Sequence, residues 1–125
     1  RVYRVPPGTH ALHFLHSLPM LSDAQCERAI ADAERHAGRH GGWTTARHAA
    51  YPTTDLPVKD VPELAAWLLP LVRDELTTRV AGVYGLQGSA IGFRDLFIAR
   101  YASKGQRKLM PHRDGSTISF NVLLN

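Results

Sequence analysis

The stretch from Thr117 to Leu124 limits the fold of this chain more than any other. Ile118, Phe120, Val122 and Leu124 alternate with Ser119, Asn121, Leu123 and Asn125. A period of two places one set on each face of an extended strand, whereas a helix would mix them. A half-buried strand is therefore predicted over 117–124. Before it stands Asp114-Gly115, a hairpin-type turn signal. Leu109-Met110 is an extended pair held out of helix by Pro111. Phe97 to Tyr101 (FIARY) reads as a further strand, and the polar, Gly-containing 102–108 as a loop.

Residues i and i+2 of an extended segment share a face, so His112 and Asp114 can point at one spot. One offers an imidazole nitrogen and the other a carboxylate oxygen. A ferrous ion accepts both, and a facial set of two His and one carboxylate with open positions marks non-haem iron(II) oxygenases. A bare His-x-Asp also arises by chance. The plainer reading is a surface histidine beside an aspartate that starts a turn, and the two readings are compatible.

FIARY, Leu109 to Asp114 (LMPHRD), Ser116-Thr117 and Asn121 to Asn125 (NVLLN) together resemble the iron(II)/2-oxoglutarate dioxygenases of the prolyl 4-hydroxylase and procollagen lysyl hydroxylase group. The likeness is greatest to the lysyl hydroxylase catalytic domain. Pro52-Thr53-Thr54-Asp55-Leu56 resembles the P-T-x-D-[IL] stretch upstream of that core. The resemblance implies that His112 and Asp114 bind iron(II), and that Tyr101 and Asn121 contact 2-oxoglutarate. As plain structural residues, Tyr101 is a core aromatic and Asn121 an exposed strand residue. The resemblance further implies L-ascorbate to keep the iron reduced and a peptide or protein substrate with Pro or Lys. The implied reaction converts 2-oxoglutarate to succinate and carbon dioxide while a C–H bond gains a hydroxyl. It also implies an α+β fold: the N-terminal part of a double-stranded β-helix, or jelly roll, with two or three supporting helices. A secretory or endoplasmic-reticulum setting follows from the resemblance alone, and no signal segment is visible. In such enzymes a nearby upstream Arg helps to bind cosubstrate. Arg47 is a candidate at a different spacing, and Arg47 and His48 read more simply as a solvated loop pair.

The supporting elements are legible. Ser22-Asp23-Ala24-Gln25 forms a capping box. Cys26, Ala29, Ile30, Ala33 and Ala37 follow as an apolar stripe at helical spacing, with Gly38 as the expected stop. The lone cysteine reads as a core residue. Trp43 to Asp55 is Thr-rich and favours strand, which Pro52 ends or places at an edge. Asp60-Val61-Pro62-Glu63 predicts a second helix with an Asp cap and Pro in the first turn. Its buried face is Leu64, Trp67, Leu68, Leu71, Val72 and Leu76, and Pro70 should kink or split it. Gly82 to Gly92 reads as a Gly-rich loop into the core. His10 to Ser17 reads as a loose strand, with His10, His13 and His16 as exposed side chains.

One domain is expected for 125 residues at 44% apolar content, with 1–92 as helical and loop support and 93–125 as first core strands. The +4 formal charge reads as spread along the chain, a solvated surface that favours acidic partners over nucleic acid. No run is long and apolar enough to span a membrane. The facial set needs a second His, which in this family lies well beyond the H-x-D pair. An Arg or Lys that anchors the far carboxylate of 2-oxoglutarate follows it. Neither is found here, so the chain reads as incomplete and inactive alone. The rival reading is a non-catalytic binding module on a degraded oxygenase scaffold.

Overall fold

A computed structural model describes residues 20–125. The strand and the three histidines expected over 10–17 lie outside the described residues. Four main elements follow in order: α1 (Asp23–Arg39), β1 (Asp55–Pro57), α2 (Pro62–Tyr84) and β2 (Phe97–Ala99). Single 3-10 turns, Val58–Asp60 and Gly88–Ala90, flank α2. β1 pairs antiparallel with β2 in the register Asp55 to Ala99, Leu56 to Ile98 and Pro57 to Phe97. The architecture is α+β, and a jelly-roll core is not seen among the described residues.

α1 begins as its sequence dictates. The Ser22 Oγ accepts from the Gln25 amide at 3.3 Å, and the Ser22 amide donates to Gln25 Oε1 at 2.8 Å. Each satisfies a donor that the first turn leaves free. Ala29, Ala33 and Ala37 are buried, with Cys26 packed beside them. The helix runs through Gly38 to a cap at His40, and the positive-φ glycines are Gly41 (84°) and Gly42 (102°). The left-handed break that ends a helix therefore falls three residues later than expected.

α2 also departs from expectation. Asp60 belongs to the preceding 3-10 turn, and Val61 occupies the N-cap with no side-chain bond. Pro62 fills the first helical position, where its missing amide costs nothing. Pro70 does not split the helix, which is unbroken to a left-handed Gly85 cap at φ 64°. Pro70 and Ala66, whose carbonyl loses its partner, both face solvent, so water can serve that carbonyl. Leu64, Leu68 and Val72 meanwhile stay buried on the opposite side. The loop expected from Gly82 starts only after Tyr84.

The core joins the alanine stripe of α1 to Leu64, Leu68 and Val72 of α2, under Leu56, Val58 and Val61. Residues 117–125 form no strand, because a ladder needs a neighbouring chain and none pairs with them among the described residues. Their alternation survives as burial. Ile118, Phe120, Val122 and Leu124 are half-buried while Ser119, Asn121, Leu123 and Asn125 are exposed. Phe120, Val122 and Leu124 pack against the core. The Thr-rich 43–54 is likewise irregular, with one bridge between Thr44 and Asp55.

Asp32 joins the two helices. It is 7% exposed and accepts from Trp67 Nε1 at 3.2 Å and Arg35 Nη1 at 2.8 Å. Burial favours its protonated form, but the hydrogen bonds from Arg35 and Trp67 and the charges of Arg35 and Arg28 outweigh that and hold its pKa down. A carboxyl with a depressed folded pKa stabilises the fold above its unfolded pKa of about 3.9 and loses that contribution as pH falls through the lower folded value. Asp32→Asn is expected to lower stability at pH 7. The gap between wild type and variant in urea unfolding should close below about pH 4.

Candidate functional site

The H-x-D segment has no regular secondary structure, yet the side chains of His112 and Asp114 meet. His112 Nε2 lies 3.0 Å from Asp114 Oδ1. On the far side of the ring, Nδ1 stands 2.9 Å from the Met110 carbonyl. A carbonyl can only accept, so Nδ1 carries the proton in that contact. Nε2 then faces the carboxylate either with a second proton or with a bare lone pair. A lone pair against a carboxylate oxygen is repulsive, so the gap calls for a proton or a cation. The spacing suits a metal ion. Two ligands at right angles on one ion, with bonds of about 2.1 Å, stand about 3.0 Å apart. A carbonyl on the second ring nitrogen is also the usual way a ligating imidazole is oriented. Two ligands alone hold a divalent ion weakly. No group of three His, Cys, Asp or Glu converges among the described residues.

Asp114-Gly115 does not open a hairpin. Arg94 Nη1 donates to the Gly115 carbonyl, and a Cβ at Gly115 would stand 2.9 Å from that nitrogen. The glycine makes room for the guanidinium that anchors the segment. Tyr101 is 51% exposed just beyond β2, and Asn121 is also exposed. No side-chain hydrogen bond joins either of them to His112 or Asp114 among the described residues.

Tyr51 is the residue that sequence reasoning missed. Its ring lies 5.0 Å from that of His112, tilted by 32°. Gln106 explains how residues so distant in sequence meet. Its Oε1 accepts from the Thr54 amide at 2.5 Å, and its Nε2 donates to the Pro52 carbonyl at 2.9 Å. The Arg100 amide donates to the Thr54 carbonyl at 2.8 Å, which extends the β1–β2 pairing toward the loop. One amide side chain therefore stitches 52–54 to the 102–108 loop and presents Tyr51 to His112.

Beneath this lies Asp55, fully buried. Its carboxylate accepts from Arg47 Nη1 at 2.7 Å and from the Thr53 hydroxyl, with His48 Nε2 at 3.5 Å. Arg47 Nη2 reaches Asp95 at 2.6 Å, and the guanidinium lies over the Phe97 ring. Burial would ease proton loss from Arg47, but the hydrogen bonds to Asp55 and Asp95 prevail and raise its pKa. Arg47 and His48 are therefore not a solvated loop pair. Arg47 spends both terminal nitrogens on Asp55 and Asp95, which leaves its candidate role at the cosubstrate without support. The signal in the sequence was an Arg eight residues before a strand aspartate, too unspecific to read alone.

The chain is similar to curated procollagen lysine hydroxylases and dioxygenases at low identity. It is 29% identical over 119 residues to procollagen-lysine,2-oxoglutarate 5-dioxygenase 2 of Homo sapiens. It is 31% identical over 117 residues to the multifunctional procollagen lysine hydroxylase and glycosyltransferase LH3 of Homo sapiens. It is 25% identical over 116 residues to procollagen-lysine,2-oxoglutarate 5-dioxygenase 1 of Gallus gallus. Each match takes in 86% of this chain and 15% of the relative, so the chain spans a small part of the proteins it matches. The relationship is distant. No family model and no solved structure matches. No helix among the described residues is long and apolar enough to cross a membrane.

Two substitutions test this scaffold. Asp55→Ala leaves Arg47 without its buried partner and should cost about 3 kcal/mol in urea unfolding. Gln106→Ala should leave global stability nearly unchanged while the Thr54 amide, deprived of its acceptor, exchanges with solvent about five- to tenfold faster.

Proposed function

We propose that this chain is the H-x-D-bearing part of an iron(II)- and 2-oxoglutarate-dependent hydroxylase that acts on a prolyl or lysyl residue of a peptide or protein. The observation that carries the reading is the 3.0 Å gap between His112 Nε2 and Asp114 Oδ1, which suits a cation held by both. The distant similarity to lysine hydroxylases and dioxygenases supports the same choice. On this reading 1–92 is helical and loop support, and 93–125 contributes the first strands of a double-stranded β-helix.

The iron, when bound, supplies the oxygen activation that couples conversion of 2-oxoglutarate to succinate and carbon dioxide with C–H hydroxylation, ascorbate keeping it reduced. The remaining work falls to this chain's residues. The Met110 carbonyl holds the Nδ1 proton of His112 and so keeps the Nε2 lone pair toward Asp114. The Asp114 carboxylate contributes the one negative charge of the pair. The Tyr51 ring lies against that of His112 and limits its rotation. Tyr101 and Asn121 offer a hydroxyl and an amide to the carboxylates of 2-oxoglutarate.

The test uses the complete gene product with iron(II), 2-oxoglutarate and ascorbate. His112→Ala and Asp114→Ala should each weaken iron binding, read by calorimetry, by more than about a hundredfold, and abolish succinate formation. Iron-dependent succinate that persists in both variants would overturn the assignment of the ligands. No succinate from the unaltered protein would favour the non-catalytic binding module.

A further inference from the structure

Charge on this chain is not evenly spread. Arg100, Lys104, Arg107, Lys108 and Arg113 fall within one stretch that holds none of the 11 acids, and the remaining residues carry ten cations against those 11. The whole positive excess therefore sits between β2 and Asp114. An average over the chain hides this, which is why the sequence reads as evenly charged.

All five cationic residues are exposed. Arg100 is partly neutralised by Glu34 at 3.4 Å. Arg107 turns its Nε to the Ser103 carbonyl at 2.7 Å, a contact that leaves its charge uncompensated. Among the described residues, no carboxylate lies within ion-pair distance of Lys104, Arg107, Lys108 or Arg113. The same rim carries exposed apolar groups: Tyr101 at 51%, Met110 at 56% and Tyr51 at 42%. The Gln106 bonds to Pro52 and Thr54 fix the rim against the wall that faces His112.

We propose that residues 100–113 form a docking rim for acidic peptides, which selects substrates whose target residue is flanked by Asp or Glu. The proposal rests on the hydroxylase reading above and adds the substrate class to it. A cationic rim raises the local concentration of anionic ligands. It also opposes an unaccompanied lysine ammonium, since like charges at contact distance repel even in water. Flanking carboxylates remove that penalty and turn it into attraction, while a proline target meets no penalty. Exposed apolar side chains interleaved with the cations suit a peptide, whose backbone and side chains bury them. Five charges on one short stretch are fewer than the roughly 6–10 phosphate contacts of a strong duplex-binding protein.

The experiment measures fluorescence anisotropy on the complete gene product with three peptides of equal length. Each centres on one Lys or Pro, flanked by Asp/Glu, by Ser/Gly or by Lys/Arg. The acidic peptide is expected to bind at least tenfold tighter than the neutral one. Raising salt from about 0.1 to about 1 M, which shortens the screening length from about 10 to about 3 Å, should erase the preference. The double variant Lys104→Glu/Lys108→Glu should lose the preference while peptide-independent succinate formation stays unchanged. Equal binding of the three peptides, or a preference untouched by the double variant, overturns the proposal. So does a single-stranded oligonucleotide of matched charge that binds more tightly than the acidic peptide, which would make the rim a nucleic-acid surface. Failure of the hydroxylase reading is seen separately, as an absence of succinate, because anisotropy does not depend on turnover.

Discussion

A single buried carboxylate, that of Asp55, holds the irregular half of this protein to the regular half. Its backbone pairs with Ala99 of β2 and bridges to Thr44, while its side chain binds Arg47 and Thr53. Arg47 carries the connection on to Asp95. A fully buried carboxylate without partners would cost several kcal/mol, far more than a short two-stranded sheet returns. The segment 44–55 has almost no regular structure of its own, so these polar bonds define its path. The two helices need less of this help. They meet through an alanine stripe that lets α1 approach closely, and Asp32 with Trp67 fixes their relative position.

The path of 44–55 matters because Tyr51 lies on it. From Asp55 the constraint passes through Thr54 and Pro52 to Gln106, and from there along the loop to His112. No apolar cluster could do this as specifically, since amide hydrogen bonds fix direction as well as distance. The two ring nitrogens of His112 are likewise fixed by different partners, the Met110 carbonyl on one side and Asp114 on the other. Orientation is thus imposed at three successive levels: the buried ion pair, the amide clamp and the backbone carbonyl.

What the sequence made legible is local. The Ser22–Gln25 capping box, the Cys26–Ala37 stripe and the shared face of His112 and Asp114 depend on residues a few positions apart, and each is found where expected. The alternation over 117–124 predicted which side chains turn inward, though not that the segment would lack a ladder, which depends on a neighbour elsewhere. The β1–β2 pairing, the reach of Arg47 to Asp95 and the Gln106 clamp join positions 40 to 54 residues apart in sequence, where no spacing rule applies. Pro70 misled for a different reason. Its effect depends on whether the freed carbonyl faces water, and only the fold decides that.

Burial is unevenly distributed along the chain. Between Arg100 and Thr117 only Ala102, Gln106 and Leu109 are even half-buried. That stretch contributes little to the core, and few anchors hold it to the rest: the Arg100 contacts with Thr54 and Glu34, the Gln106 bonds to Pro52 and Thr54, the Tyr51 ring against His112 and the Arg94 bond to Gly115. Segments with few buried contacts open locally at low cost, and sites that must admit a ligand are drawn from them. The scaffold of α1, α2 and the Asp55 network can therefore stay closed while the rim yields. Charge can change on the rim without loss of the fold, whereas a change at Asp55 or Asp32 reaches the core. His112 and Asp114 stand at the end of this loosely held stretch, and the Met110 carbonyl and the contact between the two side chains give them a defined local geometry on a segment with few other anchors.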